Sequence, residues 1–424
     1  PGGKREAGES FEQCLMRARS HNRTLLTQKA RIAAADARLK QVKASQRPTV
    51  NAQWSDTSYN APSSPTAARE QHLHRLTVSD TVAPFGRYRS QKRAAEAAQL
   101  ATRHEESRAE QDIDFQVAKL FYDLLLAQQL VRVASDSVDQ LTSHRDNTAA
   151  LVRAGSAPKF DLLRAEVQLA SARPPLIKAQ STITNAMADL MNLLGLDPQL
   201  SPELIGSFPE QLPEPPDERE AITVAHERRP DLAAAREWWR SQQHSVQAAR
   251  QALQPTVQLA QTWDHSKGLR TPVHSYQQSS FTQLNLSWPM FDSGLTRARV
   301  HEARAGATQA ALAAESAQAN AIVEVRKALS AWHEAVEVLR SQEKNVEQAT
   351  EALAIAKAAY KAGARTALDV LDAQVALTQA RTLHFQALYA RTLAHLSLRR
   401  ASGLPFSLTE TFPLANASSD RSHP

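Results

Sequence analysis

The chain has 424 residues, a formal net charge of +6, 42% hydrophobic but only 5% aromatic residues, 12 glycines and one cysteine. Its apolar residues are mostly Ala, Leu and Val set in charged, Gln-rich sequence, a composition of long helices, and the scarcity of glycine points the same way. The lone Cys14 excludes an internal disulfide, the dispersed charge excludes a nucleic-acid stripe, and no apolar run is long enough for a transmembrane helix.

Pro1-Gly2-Gly3-Lys4 reads as a mature or trimmed start, with no secretory leader visible. Residues 10–46 are predicted as one helix, ended by Arg47-Pro48. Cys14 lies inside it, so it reads as a buried structural thiol and not as a lipid anchor. A period-two texture follows. Val50, Ala52 and Trp54 alternate with polar residues, as do Leu76, Val78 and Val82. That is the mark of half-buried strands, and Asn60-Ala61-Pro62-Ser63-Ser64-Pro65 between them is a loop by composition. Beyond Pro84-Phe85-Gly86, the residues Val117, Leu120, Leu124, Ala127, Val131, Ala134, Val138 and Leu141 keep 3-4 spacing, a coiled-coil seam. A helix over 87–152 would reach about 100 Å. Gly155 is a predicted helix C-cap, and the chain restarts at Ala157-Pro158. Pro174-Pro175 should break or kink the returning helix, because both lack an amide donor.

Six prolines between 198 and 216 mark a linker. The pattern then returns. Val257, Leu259 and Trp263 alternate with polar residues, as do Leu284, Leu286 and Trp288, around a loop with Gly268 and Pro272. Ile322, Val325, Leu329, Trp332, Val336 and Leu339 form a second seam, and Gly363 a second turn. The segment from Arg153 to Leu169 returns as Lys361 to Leu377, at a shift of 208 residues, and Leu194-Gly195-Leu196 returns as Ser402-Gly403-Leu404. The predicted organisation is a first repeat at 10–196 (hairpin 48–84, long helix 87–152, turn 153–158). A Pro-rich linker at 197–220 leads to a second repeat at 221–404 (hairpin 255–290, long helix 295–361, turn 362–366), and a tail at 405–424 ends the chain. Each strand is long enough to cross a bilayer at a tilt, and four are too few to close a wide barrel, so oligomerisation is the natural remedy.

Hairpin, long helix, glycine turn and returning helix, all used twice, resemble the TolC-like outer-membrane channel family from about residue 10 to 405. The most specific segment is Tyr360-Lys361-Ala362-Gly363-Ala364-Arg365-Thr366-Ala367-Leu368-Asp369-Val370-Leu371-Asp372-Ala373, which is similar to the family's second periplasmic tip. Trp288-Pro289-Met290-Phe291-Asp292-Ser293-Gly294 resembles its strand-to-helix junction, and Arg229-Pro230-Asp231-Leu232 the helix that opens the second copy. The resemblance implies a mainly α fold with a β-barrel portion: coiled-coil helices as a periplasmic α-barrel, and four strands per chain in a homotrimeric, twelve-stranded outer-membrane barrel. It implies an exit duct for efflux or type I secretion, fed by an inner-membrane transporter and a periplasmic adaptor, with outer-membrane lipid around it and neither enzyme chemistry nor cofactor nor nucleic acid. The alternative is a soluble periplasmic coiled-coil adaptor or scaffold. The exported substrate is not legible.

Asp369 and Asp372 are three apart and share a helix face. The resemblance makes them an acidic entrance ring, selective for cations, where crowding would raise some carboxyl pKa values. Tyr360 and Arg365 would latch the closed entrance to the first-copy turn, including Asp161. Ala154, Gly155 and Ser156, with Ala362, Gly363 and Ala364, would be the adaptor-docking tips, although Pro158 and Lys159 stand where the family's first tip is usually apolar. Val50, Trp54, Val78, Leu259, Trp263, Leu286 and Trp288 are the expected membrane-facing strand residues. His72, His74, His265 and His274 have no acidic or cysteine partner at ligand spacing, so no metal site is expected.

Overall fold

A computed structural model of the chain describes residues 10–60, 70–83, 86–199, 202, 204–267, 276–407 and 411–412. The expected loop at 61–65, the ends of the first hairpin at Pro84 and Phe85, Gly268, Pro272, His274 and most of the tail lie outside the described residues. The chain forms two compact units. One comprises 1–28, 106–230 and 318–424, and the other 29–105 and 231–317. Each unit takes part of both repeats, so compactness divides the chain differently from sequence repetition.

Helices come first and dominate. They are α1 (Phe11–His21), α2 (Arg23–Ala44), α3 (Arg87–Arg153), α4 (Lys159–Leu193), α5 (Glu218–Arg228), α6 (Pro230–Arg250), α7 (Leu295–Lys361) and α8 (Ala367–Ala401). Both α3 and α7 run 67 residues without interruption, and both α4 and α8 run 35. The 3-4 seams fill the cores. Val117, Leu124, Leu141, Val325, Leu329, Trp332 and Leu339 are buried. Around Phe121 and Tyr122 the first core gathers Cys14, Leu190, Met191 and Leu194; the second joins Val224, Val325, Leu329, Leu398, Leu404 and Phe412.

The predicted helix over 10–46 is two helices. Asn22 breaks it in an extended conformation and caps both ends. Its amide donates to the Leu193 carbonyl at 2.9 Å, and its Oδ1 accepts from the Thr24 and Leu25 backbone amides at 2.8 and 3.3 Å. In the second copy Arg229, also extended, separates α5 from α6. Its guanidinium donates to the Ala401 carbonyl at 3.1 Å and pairs with Glu324 at 2.7 Å. The same clasp is therefore built twice with different side chains. Gly195 and Gly403 close it, each at positive φ. A Cβ on Gly195 would meet the His21 carbonyl at 2.8 Å, and one on Gly403 the Arg229 amide at 2.7 Å.

The expected break at Pro174-Pro175 is absent, because α4 continues through both. The prolines are exposed, and so are Ala170 and Ser171, whose carbonyls lose their helical donors. Water can satisfy those carbonyls there, which a buried site would not allow.

The strands β1 (Thr49–Ser58), β2 (Glu70–Ala83), β3 (Thr256–Lys267) and β4 (Gln277–Ser287) form one antiparallel sheet in the order β1-β2-β3-β4. The hairpins of the two repeats join through β2 and β3, which leaves β1 and β4 as edges. Val50 pairs with Val78, Trp54 with His74, Leu76 with Trp263, Leu259 with Leu284 and Val257 with Leu286. Side chains alternate between faces, so this register gathers the apolar residues on one face. The other face carries rows such as Gln53, Arg75, Asp264 and Ser279.

Candidate functional site

Two turns terminate the long helices with the same backbone geometry. At the first, Gly155 adopts φ 72°, the Ser156 amide donates to Leu151 at 2.9 Å and the Gly155 amide to Val152 at 3.1 Å. At the second, Gly363 adopts φ 74°, with Ala364 to Ala359 at 2.9 Å and Gly363 to Tyr360 at 3.0 Å. These paired bonds satisfy the last helical carbonyls and need a residue that tolerates the left-handed region. Ala154, Gly155, Ser156, Ala362, Gly363 and Ala364 are all exposed, and nothing lies within 4 Å of where a Cβ would stand on either glycine.

The restarts differ. Pro158 begins α4 without a side-chain cap. Thr366 begins α8 with a capping box: its backbone amide and hydroxyl both donate to Asp369 Oδ2 at 2.9 Å, while the Asp369 amide donates to Thr366 Oγ1 at 3.4 Å. Arg365 pairs with the same carboxylate at 3.5 Å. Within the chain Arg365 therefore meets Asp369 and not Asp161. The Thr366 amide and hydroxyl, with Arg365 behind them, hold the Asp369 carboxyl below its ordinary range. Within the chain, hydrogen bonds to the charged form act on Asp369 directly. Asp372 lies one turn on and is exposed, as are Tyr360 and Asp161.

Below the turns Leu141, Leu169 and Leu371 pack together, bringing α3, α4 and α8 side by side. A cavity of about 380 Å3 lies beside them, lined by Asp139, His144, Asn147, Lys357 and Gln374 among others. Burial lowers the His144 pKa. The sequence reading missed this cavity, since its walls come from helices more than two hundred residues apart. It also missed the Thr366 cap, for which the Thr-Ala-Leu-Asp spacing was a usable signal.

On the sheet, the register places Val50, Trp54, Val78, Leu259, Trp263 and Leu286 on the same face. Trp288 follows two residues after Leu286, and Trp54 and Leu286 are 73% and 63% exposed. On the opposite face Arg75 holds Asp264 with two bonds of 2.8 and 2.9 Å. Asp56 approaches His72 at 2.5 Å, an acidic neighbour that sequence spacing did not reveal. Among the described residues no group of three or more His, Cys, Asp or Glu is placed to hold a metal ion.

This arrangement has known counterparts. The model of the outer membrane efflux protein family matches residues 14–196 and 221–404, both repeats nearly whole. The chain belongs to the outer membrane efflux protein family. It is 27% identical to the pyoverdine export outer membrane protein OpmQ of Pseudomonas putida, covering 77% of this chain and 69% of that one. It is 30% identical over 318 residues to the outer membrane protein OprJ of Pseudomonas aeruginosa, covering 72% and 62%. A crystal structure of CusC superposes with a TM-score of 0.83 at 21% identity, covering 96% and 95%, and so shares the fold. The chain is an outer-membrane exit duct with a large periplasmic portion of long helices. Members of the family work with periplasmic adaptors and inner-membrane pumps.

Proposed function

We propose that three copies of this chain form the duct, conducting substrates passively from an inner-membrane pump and a periplasmic adaptor to the exterior. No bond is made or broken in it. The observation that carries this reading is the four-stranded sheet with one apolar face and two edges. In hydrocarbon an open edge leaves amides and carbonyls unsatisfied at several kcal/mol each, and only closure removes the cost. Three copies joined edge to edge give a twelve-stranded barrel with polar rows inside. A soluble adaptor would leave the same apolar face in water.

The two repeats, 10–196 and 221–404, supply equivalent walls of the duct, joined by the 197–220 linker. The glycine turns form the adaptor-docking tips: they are exposed and rigidly capped, with room around both glycines. Asp372, beside Asp369, supplies the acidic entrance ring. Arg365 and Tyr360, with Asp161, tie the closed entrance between neighbouring copies, with Arg365 exchanging Asp369 for a partner on another chain. Single-channel conductance in a planar bilayer tests the reading. The wild type should carry a cation-selective current, and Asp369→Asn with Asp372→Asn should lose the selectivity. A well-folded trimer whose selectivity is the same in both proteins would overturn the acidic ring.

A further inference from the structure

The polar face of the sheet is built mostly from hydroxyl and amide side chains. Thr77 meets Thr262 at 3.4 Å and Thr49 meets Ser79 at 3.0 Å. Among the described strand residues of that face only Arg75 and Asp264 are charged, and they hold each other. Arg75 Nε donates to Asp264 Oδ1 at 2.8 Å and Nη2 to Oδ2 at 2.9 Å. The pair sits in the row Gln53, Arg75, Asp264 and Ser279, which crosses all four strands. This face is also the enclosed one. Thr262 and Asp264 are 5% and 8% exposed, while Trp263 between them, on the other face, is 44% exposed. The polar side chains crowd together as on the inside of a curved sheet, and the apolar ones stand apart as on its outside.

We propose that the Arg75–Asp264 pair keeps the barrel interior electrically neutral, so that the barrel passes solutes of either charge and leaves selection by charge to the periplasmic entrance. The inference rests on the trimeric barrel reading, in which the polar face lines the lumen and three such pairs stand at one level. A lumen with low-dielectric walls concentrates the field of a lone charge, and a ring of like charges selects ions. Either residue alone would supply such a ring, of three guanidinium groups or three carboxylates. With the pair closed, opposite charges 2.8 Å apart cancel well within the screening length of about 10 Å in dilute salt. The two parallel bonds of the arginine fork fix that geometry and so the cancellation. Strand pairing does not itself require charge here, since the next row is joined by the Thr77 and Thr262 hydroxyls. The Arg75 side chain is 36% exposed against 8% for Asp264, so loss of the aspartate would leave a cation open to the lumen.

Reversal potentials across a planar bilayer test the pair. They are measured on the trimer carrying Asp369→Asn and Asp372→Asn, so that these entrance carboxylates add no charge. Asp264→Asn is the decisive variant, because the guanidinium left behind stays charged at any working pH. We expect it to shift permeability toward anions by about tenfold in dilute salt, and by little at about 1 M, where screening acts within about 3 Å. Adding Arg75→Gln should restore the starting ratio, and so should the exchange of Arg75→Asp with Asp264→Arg. A pair that merely locks the strands would lower stability in Asp264→Asn and leave the ratio unmoved, and that result overturns the proposal. A second measurement leaves the pair intact and so guards against a folding defect. Ser279→Cys puts a thiol in the same row, and the native Cys14 is buried. A cationic and an anionic thiol reagent should modify it at equal rates relative to a free thiol. A marked preference for either charge overturns the neutral lumen, and no modification by either takes this face out of the lumen and overturns the proposal as well. A wild type that forms no channel at all fails the duct reading itself, and the pair's role falls with it.

Discussion

The two tips share a backbone and differ in chemistry. Gly155 and Gly363 sit at φ 72° and 74°, with equivalent capping bonds that agree within 0.1 Å. Yet α4 starts at an uncapped Pro158 beside Lys159, while α8 starts at a Thr366–Asp369 box flanked by Arg365. The side chains of the returning helices diverge too. Leu163 is 51% exposed, whereas its counterpart Leu371 is buried among Leu141 and Leu169. Repetition therefore keeps turn geometry, which glycine enforces, and releases the surface around it. Only the second tip adds a side-chain cap and an ion pair to the shared turn.

The same contrast separates the tip glycines from the clasp glycines, and substitution should expose it. Gly403→Ala would drive a Cβ against the Arg228 and Arg229 backbone, at 2.7–2.9 Å and in a left-handed conformation. We expect a loss of about 4 kcal/mol in urea unfolding. Gly363→Ala meets nothing and should cost about 1 kcal/mol, the conformational term alone. Equal losses at the two sites would remove the distinction.

The next effect belongs to the second core. His395 is fully buried against Trp332 and Phe412, where the first copy has Met187. Burial, with help from Arg399, lowers its pKa from 6.5 to about 4. The unfolded chain then binds the proton first, so stability is full above about pH 6.5 and is lost as pH falls towards 4. The loss should be on the order of 3 kcal/mol. His395→Met, which copies the first repeat, should flatten that limb of the stability–pH profile. An unchanged acid limb would assign it to other groups.

Smaller effects sharpen the comparison of the tips. Thr366→Ala should cost about 1 kcal/mol by removing the cap, while Pro158→Ala should change stability by less than about 0.5 kcal/mol. The Asp369 carboxyl is held low, so its part of the cap is present above the ordinary aspartate value of 3.8 and is lost only as pH falls below it. Arg365→Ser should barely alter stability, since its pair is 60% exposed on the arginine side. Its effect should fall on the closed-state current. An unchanged current would remove the latch.

Much of the fold could be read directly from the residues. The strand texture at Val50–Trp54 and Val257–Trp263 and the seams through Leu124 and Leu329 are local periodicities, and periodicity is what backbone geometry imposes. The failures are those of context. Asn22 splits a helix because its side chain reaches Leu193, and 171 residues of chain separate the two. Pro174-Pro175 fails to split one because that face is open to water, and exposure is not written in a dipeptide. The cap that Asp369 closes with Thr366 went unseen beside the entrance role that the resemblance implies for the same carboxylate. The Thr-x-x-Asp signature was present, but the pairing of His72 with Asp56 needed the hairpin register to become visible.

The junction of β2 with β3 has a consequence for assembly. It hydrogen-bonds the hairpins of the two repeats inside one chain, and Arg75–Asp264 locks the same seam with a two-bond ion pair. A barrel assembled from separate single-repeat subunits would have to find every such seam by collision between molecules. In the proposed trimer half of them form within single chains, at a rate independent of concentration. Duplication thus turns much of a slow, dilution-sensitive association into ordinary folding of one chain. In the proposed trimer it also halves the raw strand edges that must be kept from pairing wrongly, since three chains with two edges each stand where six single-repeat subunits would have two each.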